Sequence, residues 1–500
     1  MRSLFTRFSP PMLLLVASFF MLNACGDLSS KLPTIETIDN MVAEGRFSEA
    51  KKMIALLPLV NDSLSEQQRY GLNFKIDLMD RIRQDFSVHD TTLLSYIKQH
   101  YPEVTPEEIA QWEASNAIEN MTIDGKKLYF NSAGRNLFRI DSLAAKHYKL
   151  PNGGQSDSLN RFLKWYIPKI LNIDKSLTIK NGAGIYFAPV KMRIKYSITV
   201  NPDEVPSGET VRVWMPYPRR DAGSHIGIKL LSTTQPQYII SPSEYLHSSI
   251  YMEGVVSAGE PTLFGFELEY TSYAQWYDFK PESVADYNKE STLYKEFTSE
   301  QAPHILFSDN IRAAVEEVVG SEANPYLKAK KIYEWIDKNF PWASAREYST
   351  IPNIPEYVLA NKHGDCGQVT LLFITMARYA GIPAKWQSGW MMHPGNRNLH
   401  DWAEAYFEGI GWVPVDQSFG RVWGNESDPK VYFFYTKGLD PYRLIVNDDI
   451  SRPFYPAKIY PRSETVDFQR GEVEWNGGNL YFGRWRYRME IAYLSENINI

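Results

Sequence analysis

The hydrophobic period of this chain changes near residue 186, and that change excludes any fold built from one kind of element. Before it, apolar residues recur at helical spacing: Phe47, Ala50, Met53 and Ile54 in one stretch, Ile76, Met79 and Ile82 in another. After it, Val190, Met192, Ile194, Tyr196, Ile198 and Val200 alternate with mostly polar partners, as a strand with one buried face requires. Val211-Arg212-Val213-Trp214 repeats the habit, and so do Phe264, Phe266, Leu268 and Tyr270. Alternating strands separated by turn residues predict a small β-sandwich over 186–278. Helical spacing returns from Ile311 to Phe340, broken around Gly320 to Pro325, with Ile332, Trp335, Ile336 and Phe340 as its stripe. From about Leu444 the chain reads as short strands, and Asn476-Gly477-Gly478-Asn479 between Trp475 and Tyr481 is a good hairpin turn. The expected fold class is therefore α+β and multidomain. A helical region over 25–185 precedes the sandwich, a mixed α+β core occupies 300–440, and a β-strand region fills 441–500.

A chain of 500 residues can bury several cores without covalent staples. The net charge of −6 and the lack of a basic block argue against a nucleic-acid partner. Cysteine occurs only twice, at Cys25 and Cys366, in contexts too different for a disulfide framework. Paired CxxC zinc motifs are excluded by the same count, and no metal or cofactor is expected. Arg2, Arg7, the Pro10-Pro11 break and the apolar run Met12 to Leu22 form a leader too short to span a bilayer. Its end, Leu22-Asn23-Ala24-Cys25, resembles the bacterial lipobox. That resemblance implies a signal peptide over 1–24 and a lipid on the Cys25 thiol, each buried methylene contributing about 0.8 kcal/mol of anchoring. The body would then be tethered in the bacterial cell envelope, in the periplasm or at the outer-membrane surface. In the helical region, Glu44-Gly45-Arg46-Phe47-Ser48-Glu49-Ala50 resembles one tetratricopeptide helix pair without a second copy, and Pro151-Asn152-Gly153-Gly154 marks a loop.

Three later stretches carry chemistry. Gly364-Asp365-Cys366-Gly367-Gln368 opens an apolar helix with Val369, Leu372, Phe373, Met376 and Ala380 on one side, ended by Gly381-Ile382-Pro383. A thiol at a helix N-terminus feels the positive end of the dipole, which favours the thiolate that attacks carbonyls. Leu399-His400-Asp401-Trp402-Ala403-Glu404-Ala405-Tyr406-Phe407 is an alternating strand, and Gly411-Trp412-Val413-Pro414-Val415-Asp416 follows a tight turn. The resulting hairpin brings His400 and Asp416 to one end, about 4.8 Å being the spacing of neighbouring strands. His400 would accept the thiol proton and Asp416 would fix the ring. His363 and His393 are competing bases on nearby loops, and Asp365 is expected to be solvated at the surface.

Cysteine, histidine and aspartate in this order, on helix, strand and strand, resemble the transglutaminase-like branch of the papain-type cysteine enzymes. The matching text is Gly364-Asp365-Cys366, Gly381-Ile382-Pro383-Ala384, His400-Asp401-Trp402-Ala403-Glu404 and Gly411-Trp412-Val413-Pro414-Val415-Asp416, within residues 305–440. The resemblance implies a Cys366, His400, Asp416 triad and acyl transfer from amides through a thioester. Trp402, Trp342 and Tyr348 are the candidates for substrate contact, Trp342 and Tyr348 also for holding an oxyanion. Water as acceptor would make a peptidase or amidase acting on a protein or peptide, the favoured reading. An amine acceptor would make a transglutaminase. A non-catalytic envelope module is the other class, with Trp475, Tyr481, Phe482 and Trp485 offering a surface for a protein or glycan partner.

Overall fold

The computed structural model describes residues 33–148, 158–173, 178–419 and 429–494. The leader, Cys25 and the Pro151 to Gly154 loop lie outside the described residues. The chain divides into two compact units, one running to Met79 with Met121–Lys127, the other holding Asp80–Asn120 and everything from Leu128. No helix among the described residues is long and apolar enough to cross a membrane.

The first unit contains the helix pair suggested by Glu44 to Ala50. Thr34 caps the helix Ile35–Ala43 through a capping box, and Phe47–Val60 follows after a turn at Gly45, whose φ of +73° suits glycine. Ile38, Phe47, Ala50, Ile54 and Leu57 are its buried positions. In the second unit the region expected to be helical also contains β-structure. Phe86 pairs antiparallel with Phe130 and Val88 with Tyr129, and Ile179–Asn181 already belongs to a sheet. Strands of three to five residues are too short to display a period of two, so helical spacing around them dominates the sequence.

The sandwich forms as its alternation requires. Strands β1 (Gly184–Val200), β2 (Thr210–Pro216), β3 (His225–Thr233), β4 (Ser249–Val255) and β5 (Thr262–Tyr277) supply two antiparallel sheets. Val190, Met192, Ile194, Tyr196, Ile198 and Val200 of β1 share one core with Val211, Val213 and Trp214 of β2 and with Phe264, Phe266, Leu268 and Tyr270 of β5.

Helices α1 (Asp309–Val319), α2 (Pro325–Asn339), α3 (Ile354–Asn361) and α4 (Cys366–Tyr379) come next, followed by strands β6 (Ala384–His393), β7 (Asn396–Phe407), β8 (Gly411–Val415) and β9 (Arg443–Asn447). These strands form an antiparallel sheet in the order β8-β7-β6-β9. Helix α4 is buried on every side from Gly367 to Arg378, between the other helices and the sheet, so it lacks the one-sided stripe its sequence suggested. The C-terminal residues add strands to both sandwich sheets. β10 (Glu472–Trp475) pairs with β2, and β11 (Trp485–Tyr493) pairs with β1 from Trp485 opposite Val200 to Tyr493 opposite Met192. The Asn476-Gly477 turn joins β10 to Gly478–Leu480, with Trp475 opposite Gly478. Tyr481 and Trp485 are buried.

Candidate active site

Asp365 starts helix α4. Its carboxylate accepts the Gln368 N–H at 3.0 Å while the Gln368 side chain accepts the Asp365 N–H at 3.1 Å, a reciprocal cap that fixes the first turn. The Tyr348 hydroxyl donates to Asp365 Oδ1 at 2.7 Å. Asp365 is thus built into the helix start rather than solvated, and burial pushes its carboxyl up to about 6. Cys366 occupies the first helical position and is half-buried.

The structure joins the three expected catalytic residues in a different pattern. His400 Nε2 lies 2.8 Å from Asp416 Oδ2. A carboxylate only accepts, so Nε2 carries the ring proton and Nδ1 is left as the basic atom. Burial pulls the His400 pKa down and favours the neutral ring, while Asp416 pulls the other way. The Cys366 thiol, however, donates to Asp401 Oδ2 at 3.3 Å. Among the described residues no hydrogen bond joins Cys366 to His400. The cause is the period of two along β7: neighbouring residues point to opposite faces, and Asp401 shares its face with Ala403, Ala405 and Phe407, which pack in the core formed with α4.

Strong opposing forces act on the sulfur. The helix dipole favours the thiolate, but desolvation and the carboxyls of Asp401 and Asp365 push the Cys366 thiol well above its ordinary value. Asp401 is itself held from the far side: Gln469 Nε2 donates to its Oδ1 at 2.5 Å and to the His400 carbonyl at 2.9 Å. Gly367 makes this closeness feasible, because a Cβ there would overlap the Tyr348 hydroxyl and come within 2.7 Å of Asp401 Oδ2. Gly367→Ala is therefore expected to destabilise the protein by about 1–3 kcal/mol through overpacking, visible as a lower thermal midpoint.

Behind His400 lies a fully buried charge chain. Arg443 Nη2 sits 3.0 Å from Asp416 Oδ2 and 2.7 Å from Asp440 Oδ2, and all three side chains are at most 1% exposed. The Asp440 carboxyl lies far below the carboxylate range despite its burial, chiefly because the Arg443 guanidinium neutralises it.

The remaining candidates are placed differently. Trp402 is completely buried, its indole N–H donating to Gln387 Oε1 at 2.8 Å and its ring packed against Leu439 and Ile445. No surface of Trp402 is open for the expected contact with substrate, and its ring lies 5.9 Å from the His400 ring. Trp342 is 46% exposed, pairs by its backbone with Gly364 and carries the Arg139 guanidinium 4.6 Å from its ring. Tyr348 bonds Asp365 as described. Among the described residues no hydrogen bond joins the sulfur to either competing base: burial pulls His363 down to about 4, and His393 Nε2 lies 3.0 Å from Asp440 Oδ1.

This helix, sheet and residue order coincide with a known family. The model of the transglutaminase-like superfamily matches residues 312–417. Residues 312–417 are a transglutaminase-like core. An uncharacterized protein of Haemophilus influenzae is 29% identical over 143 residues, which is 23% of this chain and 38% of that protein. The uncharacterized protein YebA of Bacillus subtilis is 24% identical over 131 residues, 22% of this chain and 18% of YebA. The chain thus spans well under half the length of these curated relatives. Among solved structures, a candidate cysteine protease from Cytophaga hutchinsonii is 16% identical with a TM-score of 0.42, over 63% of this chain and 94% of that one. The periplasmic domain of TgpA from Pseudomonas aeruginosa is 14% identical with a TM-score of 0.25, over 46% of this chain and 87% of that one.

The transglutaminase-like core therefore supports a cysteine-type enzyme in general. Asp401, Gln469 and Arg443 were missed by sequence reasoning. Asp401 had a usable signal, since parity along Asp401, Ala403, Ala405 and Phe407 points it toward the helix side. Gln469 had none, because Asp401 lies 68 residues before it; Arg443 follows Asp440 by three residues, but nothing local marks its second partner, Asp416.

Proposed function

We propose that this protein is a lipid-anchored, cysteine-dependent acyl-transfer enzyme of the bacterial cell envelope, cleaving peptide or isopeptide bonds through a thioester on Cys366. The observation that carries the reading is the placement of Cys366 at the start of α4, in a transglutaminase-like core whose buried His400 is locked to Asp416. In the proposed cycle the thiol leaves Asp401 and yields its proton to His400 Nδ1. The sulfur attacks the carbonyl carbon, a C–S bond forms, and the C–N bond breaks as the imidazolium protonates the departing amine. Water then attacks the thioester, releasing the acid and restoring the thiol. The Gln368 N–H and the Tyr348 hydroxyl are both taken up by Asp365, which leaves the exposed Trp342 indole as the other candidate for an oxyanion. Asp416 acts by holding the ring, and Cys25 acts as the lipid attachment point.

A second reading draws on one observation, the neutral thiol bonded to a carboxyl: a non-catalytic envelope module that keeps the core for its shape. Labelled casein and a fluorescent primary amine separate the outcomes. Peptide release without amine incorporation is expected. Amine incorporation into glutamine side chains would identify a transglutaminase instead. If a peptide aldehyde, which adds to active thiols, fails to modify Cys366 and neither product forms, the catalytic reading is lost.

A further inference from the structure

The partner of the Cys366 sulfur suggests how the site rests between turnovers. Asp401 Oδ2 accepts the thiol at 3.3 Å, and its other oxygen is pinned by the Gln469 amide at 2.5 Å. The same amide also bonds the His400 carbonyl at 2.9 Å, so one side chain fixes both residues of β7 at the site. Gln469 is anchored in turn: its N–H donates to Glu464 Oε2 at 3.0 Å, and its carbonyl accepts the Trp390 indole N–H at 2.8 Å. The Asp401 side chain is therefore rigidly aimed at the sulfur, and the missing side chain at Gly367 is what admits it.

We propose that Asp401 is a positioning residue that holds Cys366 as a neutral, hydrogen-bonded thiol in the resting site, with Gln469 fixing the carboxyl in place. The inference rests on the reading of Cys366 as the nucleophile and adds a latch to it: the sulfur is withheld until its bond to Asp401 is broken. The charged surroundings act in the same sense. Facing the pair are Asp365 at the helix start, Tyr348 and Glu347 before α3, and Glu464, Asp467 and Arg470 ahead of β10. Arg470 is held by Glu464 at 2.7 Å and Glu347 at 3.2 Å, so the one cation in this group is already paired with carboxylates. Coulombic repulsion from carboxylates disfavours a second negative charge on sulfur. Burial and Asp365 push the Asp401 carboxyl itself up, so carboxyl and thiol hold their shared proton together; an amide of the same shape takes the competing carboxylate away and should make the thiolate easier to form.

The test is the pH profile of iodoacetamide alkylation, followed at the Cys366-bearing peptide by mass spectrometry in the full-length protein. In the wild type the midpoint is expected above about 8.5, the ordinary thiol value. In Asp401→Asn it is expected to fall by at least about one pH unit, making alkylation roughly tenfold faster at pH 7.5. A structural role alone would change the thermal midpoint and leave this profile in place. An Asp401→Asn midpoint that stays put or rises overturns the proposal. So does a wild-type midpoint at or below that of a model thiol, a result that does not depend on the variant folding. Turnover of Cys366→Ala is a separate readout. Loss of the alkylation shift with an inactive Cys366→Ala refutes only the latch, whereas an active Cys366→Ala refutes the nucleophile and with it the latch, leaving only a thiol bonded to Asp401.

Discussion

Cys366→Ala is expected to lower acyl-transfer turnover by about 10⁴-fold or more while leaving the fold in place. The size follows from what the sulfur does in the proposed cycle: without it no thioester forms, and His400 with Asp416 has only water to activate. Such groups act as a unit, so His400→Ala is expected to lose nearly as much and the double variant little more. The structural consequence is small because Cys366 is half-buried and contributes one weak hydrogen bond. A change within about 1 kcal/mol is expected for such a site. Peptide hydrolysis and a thermal melt on the same preparation check both halves. Turnover surviving in Cys366→Ala would sink the assignment, and a collapsed melt would show that the residue is structural. Cys366→Ser provides a control, since a hydroxyl keeps the shape and is a much weaker nucleophile at neutral pH.

The largest stability effect is expected at Arg443. Its guanidinium is 1% exposed and stands 3.0 Å from Asp416 and 2.7 Å from Asp440. Replacing it with methionine keeps most of the volume but leaves two buried carboxylates without their cation. Breaking a buried pair in this way costs about 3–5 kcal/mol. In a unit of this size that corresponds to a thermal midpoint lower by roughly 5 °C. Adding Asp440→Asn to Arg443→Met should recover part of the loss, because one of the two stranded charges is removed. A midpoint unchanged by Arg443→Met would mean that the carboxyls take up protons without penalty. The catalytic side of the same change is informative. Arg443 opposes protonation of His400, so its removal should raise the apparent pKa of the base in the pH profile of turnover. These two variants thus probe the front and the back of one site.

Much of the architecture was legible locally. The alternation in β1 and β5 is a direct consequence of pleating, and six residues in a row with that period leave little alternative to a half-buried strand. The hairpin of β7 and β8 was equally readable, since its turn and both of its strands lie within one short stretch, with Phe407 opposite Gly411. The pairing of His400 with Asp416 followed from that hairpin. Less local features escaped. Short strands such as Phe86–Val88 hold too few residues to show a period. The burial of Asp365 escaped because a carboxylate beside a thiol looks like a surface group until the cap and the Tyr348 hydroxyl are seen around it.

By itself the sequence determined the kinds of element, the order of Cys366, His400 and Asp416, and the family motif that contains them. These depend on side chains that are neighbours along the chain, where backbone period and turn chemistry decide the outcome. Only the tertiary structure decided which face of β7 meets the start of α4, and hence that the sulfur rests on Asp401 rather than on His400. It also decided that Gln469, 68 residues beyond Asp401, would pin that carboxyl. That Arg443 would sit between Asp416 and Asp440, and that β10 and β11 would complete sheets begun at β1 and β2, were settled at the same level. Burial is the physical reason: a side chain's charge state and partner depend on which distant segments exclude water from it, and no local pattern records that exclusion.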